Sequence, residues 1–486
     1  MQSKQNGKMC SGDEYSISPD IINPFVHNLE LSTTYDKIKT AVLTVVLLPL
    51  RLLAIVHLLV AAWLLACLGL AGLSEHDLRS RPLSGWRRRL TPLICALGKG
   101  TYQAGGMSIT VRGHQASRRE APILVVAPHS TFLDASITYV TGFPSIIARR
   151  ESGCNPFIGK LINYTQPVYV WRDDPNSRQN SIREIIERVN SEQDWPQILI
   201  FPEGTCTNRS CLITFKQGAF CPGVPVQPVC IRYPNKLDTV TWTWEGPGAL
   251  KLLWLTLTRL HSNCEIEFLP VYRPNPEEQR DPKLFASNVR QVMAKALGVP
   301  VSDYAYDDCR LMTKVRQMNL PCAPGLMEAH KLRHKLGLAQ RRAEEQCLAR
   351  QGCEGRVDLE QFARLLGVPA CDDLQQLFRL YDKTSSGSVD FREYLLSVLS
   401  VSVANNSQEV LDLAFKIYDC SGSGRLSVPD AVKALSCALA VSPEDLRAAL
   451  KRAVPADKNH VSLEEFRACA GGVQEANTPR DNKKAS

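Results

Sequence analysis

The longest apolar stretch in the chain limits its architecture more than any other feature. Between residues 40 and 73 nearly every residue is apolar, and the run is broken by Pro49, Arg51 and His57. Residues 52–73 alone are long enough to cross a bilayer, for which ~20 residues suffice, and they begin too far into the chain for a cleaved signal peptide. A buried core helix is the alternative, but few helices of soluble proteins are apolar on every side. The sequence therefore predicts a membrane anchor over residues 40–73, which either spans the bilayer or re-enters it with a bend at Pro49.

Basic residues around this stretch favour a cytosolic location for the parts that follow it. Lys37, Lys39 and Arg51 precede the span, and a larger basic group follows it: Arg79, Arg81, Arg87, Arg88 and Arg89. An excess of lysine and arginine marks the cytosolic side of an anchor. The last four residues (KKAS) resemble a dilysine retrieval signal of the endoplasmic reticulum, although a solvated charged end explains them equally well. We therefore expect an endoplasmic reticulum membrane protein whose other parts face the cytosol.

Composition excludes several classes of function. The 17 cysteines are scattered and form no C-x-x-C pair, which argues against a zinc site or a disulfide framework and for reduced thiols. The net charge of +8 fits contact with an anionic membrane face or with phosphate-bearing ligands. The chain contains no zinc finger, no aromatic-basic motif and no long basic helix, so nucleic acid is not an expected partner.

A histidine and an aspartate follow a strong strand signal. Residues 123–127 are Ile-Leu-Val-Val-Ala, Pro128 ends this run, and His129 and Asp134 come next. In α/β proteins the polar residues after a strand gather at the carboxyl edge of the sheet, where ligands bind. Histidine can take a proton from a hydroxyl near neutral pH, and a carboxylate can orient the imidazole and stabilise its charged form. The alternative is a surface histidine followed by an aspartate that caps a helix.

Other predicted strands also end in polar residues. Residues 201–209 (FPEGTCTNR) follow an apolar run; their turn exposes backbone N–H groups and Arg209 adds a cation, so an anion such as phosphate could bind there. A second strand, residues 168–172, ends in Arg172, and residues 223–229 (GVPVQPV) are apolar with two prolines. Such strands alternate with helical patterns, which predicts an α/β domain over residues 90–300.

The order of these motifs resembles the glycerolipid acyltransferases. The series is H-x-x-x-x-D, a strand ending in arginine, F-P-E-G-T and V-P-V-x-P-V. Two longer stretches, residues 203–216 (EGTCTNRSCLITFK) and 233–244 (YPNKLDTVTWTW), are similar to the lysophosphatidylcholine acyltransferases, and most of all to the type that carries calcium-binding hands. The resemblance extends from about residue 52 to the C-terminus.

The resemblance implies a reaction and a role for each motif. An acyl group from acyl-coenzyme A, or an acetyl group from acetyl-coenzyme A, would pass to the hydroxyl of lysophosphatidylcholine or lyso-platelet-activating factor. His129 would be the general base, and Asp134 would orient it. The residues that would place the acceptor or shape its pocket are Arg172, Glu203, Gly204, Thr205, Arg209, Val224 and Pro225. Because the family uses no thiol nucleophile, Cys206 and Cys211 are interpreted as packing residues. Residues 153–160 depart from the family pattern, which leaves acceptor selectivity open.

Two twelve-residue loops have the oxygen spacing of calcium-binding EF-hands. The candidate ligands of the first loop are Asp382, Thr384, Ser386, Ser388 and Glu393, with Asp390 at position 9 and Gly387 at the sharp turn. Those of the second loop are Asp419, Ser421, Ser423, Arg425 and Asp430. The second loop ends in aspartate instead of glutamate and has fewer carboxylates, which predicts weaker calcium binding or a structural role. Incomplete patterns at residues 355–358 and 460–466 suggest two further hands, and so four helix–loop–helix units. Because acyl transfer needs no metal, calcium bound to these units would regulate the enzyme.

These predictions give an α/β acyltransferase domain behind an N-terminal membrane-anchoring helix, followed by an all-α EF-hand domain. The expected parts are a disordered tail (1–38), the anchor (40–73), the acyltransferase domain (90–300), a helical linker with a degenerate hand (301–370), the EF-hand domain (371–470) and a C-terminal tail (471–486). The expected partners are a lysophospholipid, acyl-coenzyme A, calcium and the membrane. Two alternatives stay open: a membrane-tethered calcium sensor with an inactive acyltransferase domain, and an acyltransferase that acts on lysophosphatidic acid or glycerol 3-phosphate.

Overall fold

The computed structural model of the protein describes residues 23–27, 33–171, 174, 176–244, 246–318, 320, 323–338, 344–345, 355–404, 406–439, 441–453 and 459–477. These residues fall into two compact units, one within Ile22–Cys309 and one within Arg310–Ser486. The predicted site residue Arg172 and the dilysine-like residues 483–486 lie outside the described residues.

A seven-stranded sheet forms the centre of the first unit. Its strands are β1 (Met107–Arg112), β2 (Ile123–Ala127), β3 (Ser145–Arg149), β4 (Val168–Val170), β5 (Ile198–Ile200), β6 (Val226–Arg232) and β7 (Ser262–Phe268). They lie in the order β1-β7-β6-β2-β5-β3-β4. All neighbours are parallel except β6 and β7, which are antiparallel. The carboxyl ends of β2, β3, β4, β5 and β6 therefore meet at one edge of the sheet, which confirms the predicted α/β domain.

Helices cover both faces of this sheet. They are α1 (Thr34–Val46), α2 (Leu48–Leu70), α3 (Glu75–Ser80), α4 (Gly85–Arg89), α5 (Thr91–Ala104), α6 (Ser136–Val140), α7 (Arg150–Gly153), α8 (Ile158–Tyr164), α9 (Ser177–Asn190), α10 (Ala249–Leu257), α11 (Pro276–Arg280) and α12 (Pro282–Leu297). Strand β2 is buried on both sides. Leu124 and Val126 pack into one apolar core, while Ile123 and Val125 pack into the other, with Phe285. Burial on both faces explains why this strand is a continuous apolar run.

Helix α2 is the predicted apolar helix. In the part of the chain that the structure describes, it is the one helix long and apolar enough to cross a membrane; its most apolar window has a mean hydropathy of 2.5 and is 17% buried. A narrow face packs against the domain, where Gly69 meets the ring of Tyr164. A Cβ atom on Gly69 would lie 2.6 Å from that ring, so a larger residue could not approach so closely.

An arginine joins the start of α2 to the end of α10. The guanidinium of Arg51 is buried and donates hydrogen bonds to the carbonyl oxygens of Leu257 (2.8 Å), Arg259 (2.5 Å) and Leu260 (2.6 Å). These carbonyls lie at a helix C-terminus, where a cation is favourable. Helix α2 is therefore attached to the rest of the first unit near its beginning, at Arg51, as well as near its end, at Gly69.

The second unit is helical. Its helices are α13 (Tyr306–Gln317, which begins in the first unit), α14 (Ala323–Lys335), α15 (Leu359–Leu366), α16 (Asp372–Tyr381), α17 (Phe391–Ser402), α18 (Ser407–Tyr418), α19 (Val428–Leu439), α20 (Pro443–Ala453) and α21 (Leu463–Asn477). Short strands lie in the loops between them: β8 (Arg356–Val357) pairs with β9 (Val389–Asp390), and β10 (Arg425–Ser427) with β11 (His460–Ser462), both antiparallel. The helix pairs α16–α17, α18–α19 and α20–α21 enclose β9, β10 and β11, and β8 directly precedes α15.

Candidate active site

The predicted histidine and aspartate lie together at the carboxyl edge of the sheet. Strand β2 ends at Ala127, and Asp134 lies in the short 3-10 turn that follows. The Nδ1 atom of His129 is 2.8 Å from Oδ2 of Asp134. The side chain of Asp134 is fully buried, whereas 25% of the His129 side chain is exposed. The imidazole is thus held from inside the protein while part of its ring stays accessible to a substrate.

The carboxylate of Asp134 is held by several donors besides His129. Its Oδ2 atom accepts hydrogen bonds from the backbone N–H groups of Ser130 (2.7 Å) and Thr131 (3.0 Å), and its Oδ1 atom accepts one from the hydroxyl of Tyr233 (2.7 Å). These bonds fix the carboxylate against rotation. Because an ionised Asp134 accepts from Nδ1–H of His129, the other ring nitrogen, Nε2, is the one left to take a proton.

The surroundings of His129 stabilise its charged form. Burial disfavours the imidazolium, but the interaction with Cys206 and the hydrogen bond to Asp134 outweigh burial, and the pKa of His129 is raised well above the usual histidine value. The ring also stacks on Phe201, with centroids 4.3 Å apart. Cys206, which the sequence presents as a packing residue, lies close enough to His129 to affect its pKa.

Glu203 supports the backbone of the histidine. Its Oε2 atom accepts a hydrogen bond from the backbone N–H of His129 at 2.6 Å, and Oε1 accepts one from the N–H of Ile213 at 3.4 Å. Burial raises the pKa of Glu203 to about 7, against the opposing effect of the His129 N–H. The carboxyl group is fully buried and bonded to backbone, so Glu203 positions the candidate base from within the domain.

Gly204 and Thr205 form the turn beside this carboxyl group. Gly204 has φ +68°, and a Cβ atom there would lie 2.6 Å from the Nζ atom of Lys216, so glycine leaves room for that cation. The hydroxyl of Thr205 accepts a hydrogen bond from the indole N–H of Trp244 at 3.3 Å. The ammonium of Lys216 also lies 3.7 Å from the ring centroid of Tyr306. Lys216 is the last residue of the 203–216 stretch, and the resemblance of this stretch to the family could have identified it as a site residue.

The ring of Tyr233 lies between Arg209 and the His129–Asp134 pair. Its guanidinium is 5.4 Å from the ring centroid of Tyr233, the residue that donates to Asp134. It forms an ion pair with Asp238 at 2.6 Å. Its Nη1 atom is buried and has no hydrogen-bond partner. Tyr233 begins the residue 233–244 stretch, which resembles the family in sequence. Its contact with Asp134 could not be predicted from the sequence, because the two residues are far apart in the chain.

Val224 and Pro225 are not brought to His129. They precede β6, whose first residue, Val226, pairs with Ile123 at the start of β2. Because β6 and β2 are parallel, residues before β6 lie at the amino edge of the sheet, opposite the edge where His129 lies. Val224 packs against the apolar core there. Their location therefore gives no support to the prediction that these two residues pack beside the acyl chain or shape the substrate pocket.

Apolar side chains border the candidate site. Trp242 donates its backbone N–H to the carbonyl of Ser130 at 2.8 Å, and its indole meets the ring of Phe132 edge-on at 5.6 Å. Trp242, Trp244 and Leu250 are 39%, 58% and 84% exposed. An apolar, partly open surface therefore adjoins a buried polar pair, an arrangement that suits a lipid whose hydroxyl must reach a base.

The first predicted calcium loop has oxygen atoms that converge. The Oδ1 atom of Asp382 is 3.1 Å from the hydroxyl of Ser386, which is 3.0 Å from the carbonyl oxygen of Ser388. Among the described residues, no three His, Cys, Asp or Glu side chains form a metal-binding group. The donors in this loop are mainly hydroxyl and carbonyl oxygens, which fit a hard cation such as calcium.

In the second loop the last carboxylate is already engaged. Asp430 accepts hydrogen bonds from the hydroxyl of Ser427 at 2.6 Å and from Nη1 of Arg392 at 3.3 Å. Arg392 also pairs with Asp390 of the first loop at 2.8 Å. Asp419 holds the turn of its loop through the N–H groups of Ser423 and Gly424. Arg392 thus connects the two loops through their carboxylates.

The family model and the relatives that match this chain are all acyltransferases. A family model described as Acyltransferase matches residues 108–232. The chain is 48% identical to a lysophosphatidylcholine acyltransferase of Drosophila melanogaster, over 79% of this chain and 73% of that protein. It is 43% identical to lysophosphatidylcholine acyltransferase 2 of Homo sapiens, over 93% of this chain and 83% of that protein, and 43% identical to lysophosphatidylcholine acyltransferase 1 of Mus musculus, over 94% and 86%.

Proposed function

The chain belongs to the lysophosphatidylcholine acyltransferases, and on this premise we propose that it transfers an acyl group from acyl-coenzyme A to the free glycerol hydroxyl of a lysophospholipid, with His129 as general base. The contact of 2.8 Å between His129 Nδ1 and Asp134 Oδ2 is the observation that carries this proposal. A base held by a buried carboxylate and partly exposed to substrate is the arrangement that deprotonation of an alcohol requires.

The proposed step conserves atoms and protons. Nε2 of His129 takes the hydroxyl proton as the acceptor oxygen bonds to the thioester carbonyl carbon. The carbon–sulfur bond then breaks, and the coenzyme A sulfur leaves and receives the proton from the imidazolium. Asp134 stabilises the imidazolium while it exists, which its hydrogen bonds from Ser130, Thr131 and Tyr233 support.

Arg209 is the candidate contact for the acceptor's phosphate. Its guanidinium adjoins Tyr233, and its buried Nη1 atom has no hydrogen-bond partner. Charge-assisted hydrogen bonds from arginine suit phosphate oxygens. The names of the relatives support a choline headgroup, and either a long acyl or an acetyl donor is compatible with the reaction. Arg172 is also proposed to help place the acceptor, and this proposal rests on the sequence motif alone.

The proposal includes a membrane location. Helix α2 exposes most of its apolar surface, and Trp242, Trp244 and Leu250 add exposed apolar groups to the unit that holds the site. Such surfaces are stable against lipid and costly in water. We propose that the catalytic and EF-hand parts lie on the cytosolic side of the membrane, on the basis of the arginines that follow the apolar stretch.

Calcium is proposed as a regulator. Bound calcium would be held in the first loop by Asp382, Thr384, Ser386, Ser388 and Glu393, and would supply a local charge that can rearrange the surrounding helices. The second loop, with Asp419, Ser421, Ser423, Arg425 and Asp430, is expected to bind more weakly. The shorter closing residue of the second loop, Asp430, and its smaller number of carboxylates support that order.

The test of the proposed function is product formation by membranes that contain the chain. Lysophospholipids with choline, ethanolamine and phosphate headgroups are each supplied with palmitoyl-, arachidonoyl- and acetyl-coenzyme A, and membranes of the same host without the chain serve as the blank. The proposal expects diacyl or alkyl-acetyl phosphocholine above the blank. No product with any donor, at calcium levels from chelated to saturating, would favour the alternative of a calcium sensor with an inactive acyltransferase domain.

A further inference from the structure

An exposed apolar loop lies beside helix α2. We call residues 154–158, from the end of α7 to the first residue of α8, the apolar loop. Within it Phe157 is 70% exposed and Ile158 is 61% exposed, and none of its residues is charged. Large apolar side chains that are exposed side by side and join a wider apolar surface indicate that a partner or a membrane covers them.

One tryptophan attaches the apolar loop to α2. The indole N–H of Trp63 donates to the carbonyl oxygen of Pro156 at 3.2 Å, and the ring centroids of Trp63 and Phe157 are 6.2 Å apart. Leu59 and Val60, which are 37% and 47% exposed, lie one helical turn before Trp63 on the same side of α2. The apolar loop therefore extends the exposed apolar surface of the helix sideways.

Hydrogen bonds and a close approach hold the backbone of the apolar loop. The Oδ1 atom of Asn155 accepts hydrogen bonds from the N–H groups of Phe157 (3.0 Å) and Ile158 (3.1 Å). The two ends of the loop lie so close together that a Cβ atom on Gly159 would be 2.4 Å from the carbonyl oxygen of Gly153. This turn keeps the side chains of Phe157 and Ile158 on the surface.

Helix α2 lies along the first unit, so only its outward side is open to lipid. Arg51 is bonded to carbonyl oxygens at the end of α10, and Gly69 packs against the ring of Tyr164. These two attachments are about five helical turns apart. Lipid that covers the outward side of α2 between them would also reach the apolar loop beside it.

Charged residues stand on either side of the apolar loop in the sequence. Arg150 precedes it and pairs with Glu75 at 2.6 Å, and Lys160 follows it and is exposed. Long basic side chains can extend to lipid headgroups while neighbouring apolar groups enter the acyl region. An uncharged apolar tip between basic residues, continuous with the exposed side of α2, favours a membrane as the partner.

We propose that the apolar loop inserts into the membrane beside the outward side of α2 and sets the distance between the lipid surface and the catalytic edge of the sheet. The inference rests on the proposed function and adds a second membrane contact to it. The apolar loop follows β3 and α7, and the parallel strands β3, β5 and β2 end at the edge where His129 lies. A loop fixed in lipid at this edge would hold His129 within reach of an acceptor that stays in the membrane.

The apolar loop should matter for acceptors in a bilayer and not for acceptors in water. A lysophosphatidylcholine in a vesicle reaches His129 from the lipid surface, so its access depends on how close the catalytic edge lies to that surface. A short-chain lysophosphatidylcholine dissolved as a monomer reaches the same site from water. The two acceptors share the headgroup and the reacting hydroxyl, and they differ in the phase from which they come.

The first test measures the depth of the loop. Full-length protein carries an environment-sensitive fluorescent amino acid at residue 157 or, as control, at Val403 of the second unit, an apolar residue that is 49% exposed. Both proteins are placed in phosphatidylcholine vesicles with brominated acyl chains. We expect the brominated lipid to quench the probe at residue 157 at least threefold more strongly than the probe at residue 403. Equal quenching would overturn the proposal, and shielding of residue 157 that depends only on protein concentration would assign the loop to a contact between copies.

The second test measures the consequence for catalysis. In the double variant Phe157→Ser and Ile158→Ser, we expect KM for lysophosphatidylcholine in vesicles to rise about tenfold, the effect of withdrawing one large apolar side chain from lipid. The kcat/KM for the monomeric short-chain acceptor should not change, and Val403→Ser is the control for both. An equal loss with both acceptors, or no change with either, would overturn the proposal. If the unchanged protein acylates neither acceptor, the proposed function fails, while lipid quenching still decides where the apolar loop lies.

Discussion

The imidazole of His129 and the carboxylate of Asp134 meet at 2.8 Å at the carboxyl end of β2, and Tyr233 of the residue 233–244 stretch donates to the same carboxylate at 2.7 Å. Two backbone N–H groups complete the set of donors to Asp134. The base is therefore oriented by a group that cannot turn away.

Asp134→Asn tests whether the carboxylate orients the base. An amide at this position would present its NH2 group or a weaker acceptor to Nδ1, so Nε2 would carry the proton in part of the molecules and could not accept one. We expect kcat to fall by about 10²- to 10⁴-fold, with KM for both substrates little changed. The control is Asp194→Asn, at an aspartate with a side chain 78% exposed. A kcat within twofold of the unchanged protein would contradict the assigned role of Asp134.

The pH dependence of kcat/KM reports the protonation of His129. Only the neutral imidazole can act as a base, and the pKa of His129 is raised above the usual histidine value. We therefore expect kcat/KM to rise with pH and to reach its plateau above the range typical of a histidine, when measured between about pH 6 and pH 9 with spontaneous thioester hydrolysis subtracted. A profile that is flat over this range, or that falls as pH rises from its acid end, would be inconsistent with a histidine base.

Glu203→Gln tests the buried carboxyl group behind the base. Folding raises the pKa of Glu203 from 4.5 to about 7, so its favourable contribution to stability is fully present below pH 4.5 and is lost as pH rises through 7. The glutamine variant lacks this dependence, and its free energy of unfolding relative to the unchanged protein should improve by about 3 kcal/mol between these two limits. Thermal unfolding at pH 5 and pH 8 measures the difference, with Glu187→Gln, an exposed glutamate, as control. An equal difference at both pH values would show that Glu203 has no raised pKa.

The two predicted calcium loops should differ in affinity. Glu393 closes the first loop, and its side chain is one methylene longer than that of Asp430, which closes the second loop. We expect Glu393→Gln to weaken the tightest calcium site by about a hundredfold, within the range over which ligand charge tunes such loops, and Asp430→Asn to leave that site unchanged. Calorimetric titration of the full chain gives both constants. The opposite ranking of the two variants would assign the stronger site to the second loop.

The sequence predicted the parts of the site that are local in the chain. His129 and Asp134 are five residues apart and follow one strand, so the end of an apolar run was enough to place them. Glu203 was identified in the same way, from its position after β5. The direction of its side chain could not be predicted: the carboxyl group points to the backbone N–H of His129 because the 201–207 turn folds back over the end of β2.

The sequence could not predict what depends on strand direction and long-range contact. Val224 and Pro225 lie at the opposite edge because β6 runs parallel to β2, and a motif does not reveal which end of a strand it occupies. Tyr233 reaches Asp134 from a distant part of the chain. Residues 23–27 lie within the predicted N-terminal tail, yet Phe25 is buried because Tyr304 and Asn208 are brought to this segment by folding.

The most direct test of the central claim is the rate of acyl transfer by His129→Gln. Purified protein in vesicles is given saturating acyl-coenzyme A and lysophosphatidylcholine, and its thermal stability is checked against the unchanged protein. The account predicts that kcat falls by about 10²- to 10⁴-fold while the fold is retained, because glutamine can occupy the space but cannot take the proton. A folded His129→Gln protein that forms phosphatidylcholine at the unchanged rate would contradict it.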